Sequence, residues 1–134
     1  QDRVDNLLDT EPELNIYTPL IEHNIGKADC LKMLKKANIE LPEMYKMGYL
    51  NNNCIGCVKG GIGYWNKIRK DFPETFKERA QMERKLGYAL LKREKKIDGK
   101  RVGFPVFLDE LPPNIGRYKA EPSIECGIIC EKGV

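Results

Sequence analysis

Histidine, tryptophan and long apolar runs are scarce in this chain. One histidine, His23, and one tryptophan, Trp65, occur in 134 residues. His23 reads as a surface or strand-end residue in preference to a ligand or catalyst. No apolar run approaches the ~18 residues that a membrane span needs. The N-terminus lacks the basic and then apolar pattern of a signal peptide. Internal repeats and low-complexity tracts are missing too. These absences lead to the expectation of a cytoplasmic protein with no membrane partner. The start at Gln1 fits a processed product or the C-terminal piece of a longer chain.

What is present is ordinary for a globular protein: 41% apolar and 32% charged residues, in a length that suits one domain, 1–134. A formal charge of +3 permits an anionic ligand without singling out nucleic acid. Residues 1–13 are acidic and polar, with Pro12, and read as a lead-in. Ile16, Tyr17 and Leu20 suggest a short strand stopped near Pro19. Over 27–37 the spacing of Cys30, Leu31, Leu34 and Ala37 predicts an amphipathic helix. Pro42 opens a short helical turn that Gly48 ends. A helix is predicted from Gly61 with Ile62, Trp65, Ile68 and Phe72 as its core stripe. Pro73 starts another, with Phe76, Ala80 and Leu86 inward and Gly87 after its end. Tyr88–Leu91 and Val102–Leu108 read as two short strands, with Asp98-Gly99 as a hairpin signal. Residues 109–125 read as a loop. The fold class expected is α+β, mostly helical with a small β hairpin.

Five cysteines are many for this length. In a reducing compartment, paired cysteines more often mean metal or redox chemistry than disulfides. Cys54-Ile55-Gly56-Cys57 is a C-x2-C turn, and Cys126-Gly127-Ile128-Ile129-Cys130 is a C-x3-C turn. Gly56 permits the backbone conformations such a turn uses. Four thiolates from two turns satisfy tetrahedral zinc or a [4Fe–4S] cluster, so Cys54, Cys57, Cys126 and Cys130 are the candidate metal ligands. Buried or free thiols, or a redox dithiol at Cys54/Cys57, are the alternatives. Cys30, on an apolar helix face, reads as core.

Lys59-Gly60-Gly61-Ile62-Gly63 follows the first pair and precedes a helix. Bare N–H groups, a helix N-terminus and a lysine suit phosphate or sulfate, which makes Lys59, Gly60 and Gly61 candidate cofactor-binding residues. The competing reading is that the glycines only let the chain turn tightly beside the metal site. Lys67, Arg69 and Lys70 read as a solvated face. Asn51, Asn52 and Asn53 read as turn formers. Asp109 and Glu110 read as loop residues with no nucleophile nearby to serve.

The order Leu41-Pro42, Tyr45-Lys46-Met47-Gly48, Asn51-Asn52-Asn53-Cys54-Ile55-Gly56-Cys57-Val58-Lys59-Gly60-Gly61, Tyr64-Trp65, Phe72-Pro73, Phe107-Leu108-Asp109-Glu110-Leu111 and Glu125-Cys126-Gly127 resembles the C-terminal half of phosphoadenosine phosphosulfate (PAPS) reductase family proteins, in the branch of phages and bacterial mobile elements. The resemblance implies the C-terminal portion of an adenine nucleotide alpha-hydrolase-like α/β fold, sulfonucleotide reduction or a related sulfur transfer, an adenine (sulfo)nucleotide, and a thiol electron donor. It also implies Cys126 as the nucleophile, and Cys54 and Cys57 as half of an iron–sulfur ligand set. Where the family tail carries a histidine, this sequence has Cys130, which favours Cys126 and Cys130 as a ligand pair. The family's Ser-Gly-Gly-x-Asp-Ser phosphate loop is not in this sequence, so activity would depend on a separate nucleotide-binding half. The alternative is a stand-alone metal-stabilised binding module for nucleic acid or a protein partner.

Overall fold

Proline and glycine punctuate the helices, and the computed structural model, which describes residues 2–124, follows that punctuation closely. Among the described residues there are six α-helices and one antiparallel hairpin, a mixed and mostly helical α+β arrangement. The chain divides into two compact units, Gln1–Glu43 and Met44–Val134.

The first unit holds three helices. The expected lead-in is instead helix α1 (Asp2–Thr10), in which Val4 and Leu7 are half-buried at a helical spacing of three. The expected strand around Tyr17 does not form: Pro19 opens a one-turn helix, α2 (Pro19–Glu22), and Tyr17 is exposed. Proline's fixed φ suits the first helical position. The Glu22 carboxylate reaches back to accept from the Thr18 N–H (3.3 Å) and hydroxyl (3.2 Å), which fixes that start. Helix α3 (Lys27–Lys36) is as predicted, with Cys30, Leu31 and Leu34 half-buried, while Ala37 is exposed. Asp29 closes its first turn by accepting from the Gly26 N–H at 3.2 Å.

The second unit begins within the one-turn helix α4 (Glu43–Lys46), and Gly48 leaves it at φ 79°. A long loop leads to α5 (Ile62–Asp71), then directly to α6 (Pro73–Leu86), which packs on α5. Trp65 and Ile68 of α5 are fully buried, with Phe76 and Ala80 of α6 facing them. Burying side chains of that size contributes about 1.5–3 kcal/mol each. Leu86 departs from expectation at 71% exposed, because it lies in the last turn, where α6 has run past the core. Gly87 ends the helix at φ 68°.

The hairpin pairs β1 (Leu91–Ile97) with β2 (Lys100–Val106), from Leu91↔Val106 at the base to Ile97↔Lys100 at the tip. Asp98 and Gly99 form its two-residue turn with φ 50° and 79°, the left-handed pair that matches strand twist. The turn is where the sequence put it, but β1 begins where the predicted strand ended. Leu91 and Val106 seal the core, and the remainder of the ribbon runs into solvent. Glu83 ties the unit together. Its buried carboxylate accepts from the Leu90 N–H (2.6 Å) and the Leu108 N–H (2.6 Å), joining α6 to the chain on either side of the hairpin's base.

Candidate metal centre

The C-x2-C turn rests on a tyrosine. The Cys57 N–H reaches the Cys54 carbonyl at 3.1 Å, closing a four-residue turn. Gly56, third in that turn, has φ 72°, which a side chain rarely adopts. Space forbids one as well: a Cβ there would come within 2.9 Å of the Thr75 methyl and 3.6 Å of Arg79 Nε. The Tyr64 hydroxyl, from the first turn of α5, donates to the Cys54 carbonyl (3.1 Å) and accepts from the Cys57 N–H (3.0 Å). Burial raises the pKa of that hydroxyl above its ordinary value, so it stays a neutral donor. Cys54 is exposed, Cys57 is half-buried, and both are free thiols.

Beneath the turn lies an aromatic cluster. The Tyr64 ring meets those of Trp65 (5.7 Å), Tyr49 (6.1 Å) and Tyr118 (6.1 Å). Tyr118 supports the loop from the other side, accepting from the Leu50 N–H at 2.8 Å. Edge-on aromatic contacts of this kind add to simple burial and hold the rings in one arrangement.

The asparagines do more than turn the chain. The Asn51 amide donates to the Ser123 hydroxyl (2.6 Å) and the Ile124 carbonyl (3.0 Å), and the Asn53 amide donates to the same carbonyl (3.1 Å). The last described stretch of chain is therefore tied to the residues that precede Cys54. Cys126 and Cys130, the second expected pair, lie outside the described residues. Among the described residues no group of three or more His, Cys, Asp and Glu side chains gathers around a common point. The described half of the ligand set does suit a thiolate-binding metal: two free cysteines stand on one turn of fixed shape.

The glycine turn has a carboxylate of its own. Gly61 is the N-cap of α5, and the N–H groups of Gly63 and Tyr64 both donate to Glu121, the second at 3.0 Å. Gly63 allows this approach, since a Cβ would strike the backbone of Arg117 and Tyr118. The expected exogenous anion at Lys59, Gly60 and Gly61 thus meets a helix end whose inner donors already hold an internal carboxylate. Lys59, Gly61 and Ile62 instead line an open groove of about 470 Å³ together with Glu121, Ser123 and Ile124.

Sequence reasoning missed Glu121, Tyr64 and Tyr118. One signal for Glu121 was available: α5 has neither a side-chain cap nor an acid in its first turn, so its positive end called for a carboxylate from elsewhere. Asp109 and Glu110 are engaged by Arg84, at 2.8 and 2.5 Å, which accords with a structural loop. His23 sits exposed at the end of α2. Among the described residues no helix is long and apolar enough to cross a membrane. Comparison with protein-family models, curated proteins and solved structures returned no match.

Proposed function

We propose that this chain is the C-terminal, cysteine-liganded part of a PAPS-reductase-like protein. In this reading Cys54, Cys57, Cys126 and Cys130 hold one zinc ion or [4Fe–4S] cluster, within the C-terminal portion of an adenine nucleotide alpha-hydrolase-like fold. The observation that carries the four-cysteine site is the grip of Asn51 and Asn53 on Ile124. Ile124 is two residues from Cys126, and Asn53 is adjacent to Cys54. An extended chain advances at most ~3.6 Å per residue, so Cys126, two residues on, would be within about 7 Å of chain from that tie even though 68 residues separate the pairs. Loop closure over that span is an entropic cost that the intervening helices and hairpin have already met.

Bound metal supplies thiolate stabilisation and a crosslink between the two turns, and a cluster supplies an electron-accepting centre as well. The chain's own residues do the rest. Tyr64 sets the shape of the first turn, the two asparagines deliver the second segment, and the groove along Lys59 and Ile62 offers room for a substrate beside them. Sulfonucleotide reduction would draw its nucleotide from the separate phosphate-binding half and its electrons from a thiol donor.

The test is metal analysis and an absorbance spectrum of anaerobically purified chain. One zinc per chain without a visible band, or four irons with a broad visible band, is the expected result. Cys54→Ser and Cys130→Ser should each abolish that content, and Cys30→Ser should keep it. A metal-free wild type, or full metal content in both ligand variants, would overturn the site.

A further inference from the structure

The β1–β2 ribbon carries more positive charge than the whole chain has in surplus. Residues 91–106 contain six cations, Lys92, Arg93, Lys95, Lys96, Lys100 and Arg101, against two acids, Glu94 and Asp98. The chain's net charge is only +3. Glu94 is taken by Arg101 at 3.5 Å, and Asp98 sits in the turn. We propose that this ribbon is a contact arm for double-stranded DNA, its lysines and arginines meeting phosphates while it lies along a groove.

Register decides what the ribbon can meet. In an antiparallel pair, partners across the ladder share a face. One face therefore carries Arg93 with Phe104, Lys95 with Val102, and Lys100 with Ile97. Each of these pairs joins a cation to an apolar side chain, and Phe104 (36%), Val102 (45%) and Ile97 (50%) are all exposed. The other face carries Lys92, and Lys96 with Arg101. Cations thus stand on both faces along nearly the full length of the arm.

That pattern discriminates between partners. A bilayer surface takes up an element with one charge-free apolar face, and here every exposed apolar residue is paired with a cation. A flat acidic protein surface would neutralise one face and leave the other unused. The two phosphate rims of a groove bring anions to both faces at once. A major groove about 12 Å wide admits a two-stranded ribbon, and other β-ribbon readers bind in that way. Seven residues per strand at ~3.4 Å each give an arm of about 23 Å, long enough to meet several phosphates. The exposed apolar side chains, on the face of Arg93, Lys95 and Lys100, then lie against the sugars of that rim. This inference stands apart from the metal site, and either reading can fail without the other.

The test is fluorescence anisotropy of a labelled duplex of about 20 base pairs with the full metal-loaded chain, over a salt series. Wild type should bind with a clear salt dependence. The combined variant Lys92→Gln, Lys95→Gln, Lys96→Gln, Lys100→Gln should weaken binding at least tenfold and lower the slope of log K against log salt by about 3–4. The same four positions changed to Arg should retain binding, and Lys35→Gln with Lys36→Gln on α3 should leave it unchanged. The inference is overturned if wild type does not bind the duplex, or if the α3 variant loses as much as the ribbon variant. It is also overturned if phosphatidylserine vesicles or polyglutamate bind through the ribbon as tightly as the duplex does.

Discussion

The Tyr64 hydroxyl is the smallest group on which the cysteine turn depends. It satisfies a carbonyl and an N–H of the same turn from beneath, and Tyr64 is itself buried. Tyr64→Phe keeps the ring and removes both hydrogen bonds, so it should cost about 1–3 kcal/mol in urea unfolding and reduce metal content in parallel. Equal stability of variant and wild type would show that water replaces the hydroxyl. Asp71 provides a second residue-scale test. Burial alone pushes its carboxylate up, but hydrogen bonds from Lys67 (2.7 Å) and Tyr49 (3.0 Å) outweigh that and hold it below the ordinary value. A depressed folded pKa means that the charged form favours the fold. This contribution is present in full above the ordinary value of about 3.9, and it is lost as pH falls through that value toward the folded pKa. The stability gap between wild type and Asp71→Asn should therefore be constant near neutrality and narrow below about pH 4, as read by urea midpoints.

At the scale of elements, Glu83 matters most, because one carboxylate serves the backbone where it enters and where it leaves the hairpin. Glu83→Ala would leave two donors, one of them buried, without an acceptor, at about 1–3 kcal/mol each. The expected outcome is a loss of several kcal/mol, with amide exchange rising first at Leu90 and Leu108. If exchange rises uniformly instead, the carboxylate is not a local clamp. The helices of the second unit were legible because their signals are local: Pro73, Gly87 and the stripes of Trp65 with Ile68 on α5 and Phe76 with Ala80 on α6 say where to start, stop and face. The hairpin turn was legible for the same reason. The run Lys92 to Lys96 hid the rest of β1, since pairing holds these residues in a strand that burial does not require. Helix α1 was misread because its acids resemble a solvated lead-in, although Val4 and Leu7 keep a helical spacing. The two cysteines of the first turn were plain in the sequence. Their supports were not: Glu121, Asn51 and Tyr118 act across 57 to 73 residues, and no local pattern encodes such partners.

At the scale of the molecule, Ser123 and Ile124 are fastened to the loop that leads into the cysteine turn. Two amides converge on the single carbonyl of Ile124, and Asn51 adds a bond to Ser123. Neither asparagine is a metal ligand in the proposed site, yet together they hold Ser123 and Ile124, from which the chain leads on to its second half. Groups that orient ligands without binding the metal typically contribute 10–100-fold to metal affinity. The double variant Asn51→Ala, Asn53→Ala should therefore weaken metal binding by about that factor in a chelator competition. The Trp65 core should be left intact, since Trp65 is fully buried and its ring packs on those of Tyr64 and Phe76. Trp65 fluorescence reads that second arm. Weaker metal binding with unshifted emission is the signature of lost positioning. Unshifted emission with undiminished affinity would mean that metal alone draws the two cysteine pairs together, and that the asparagines serve only the apo fold. Red-shifted emission would trace the loss to the core and remove the asparagines from any account of the site.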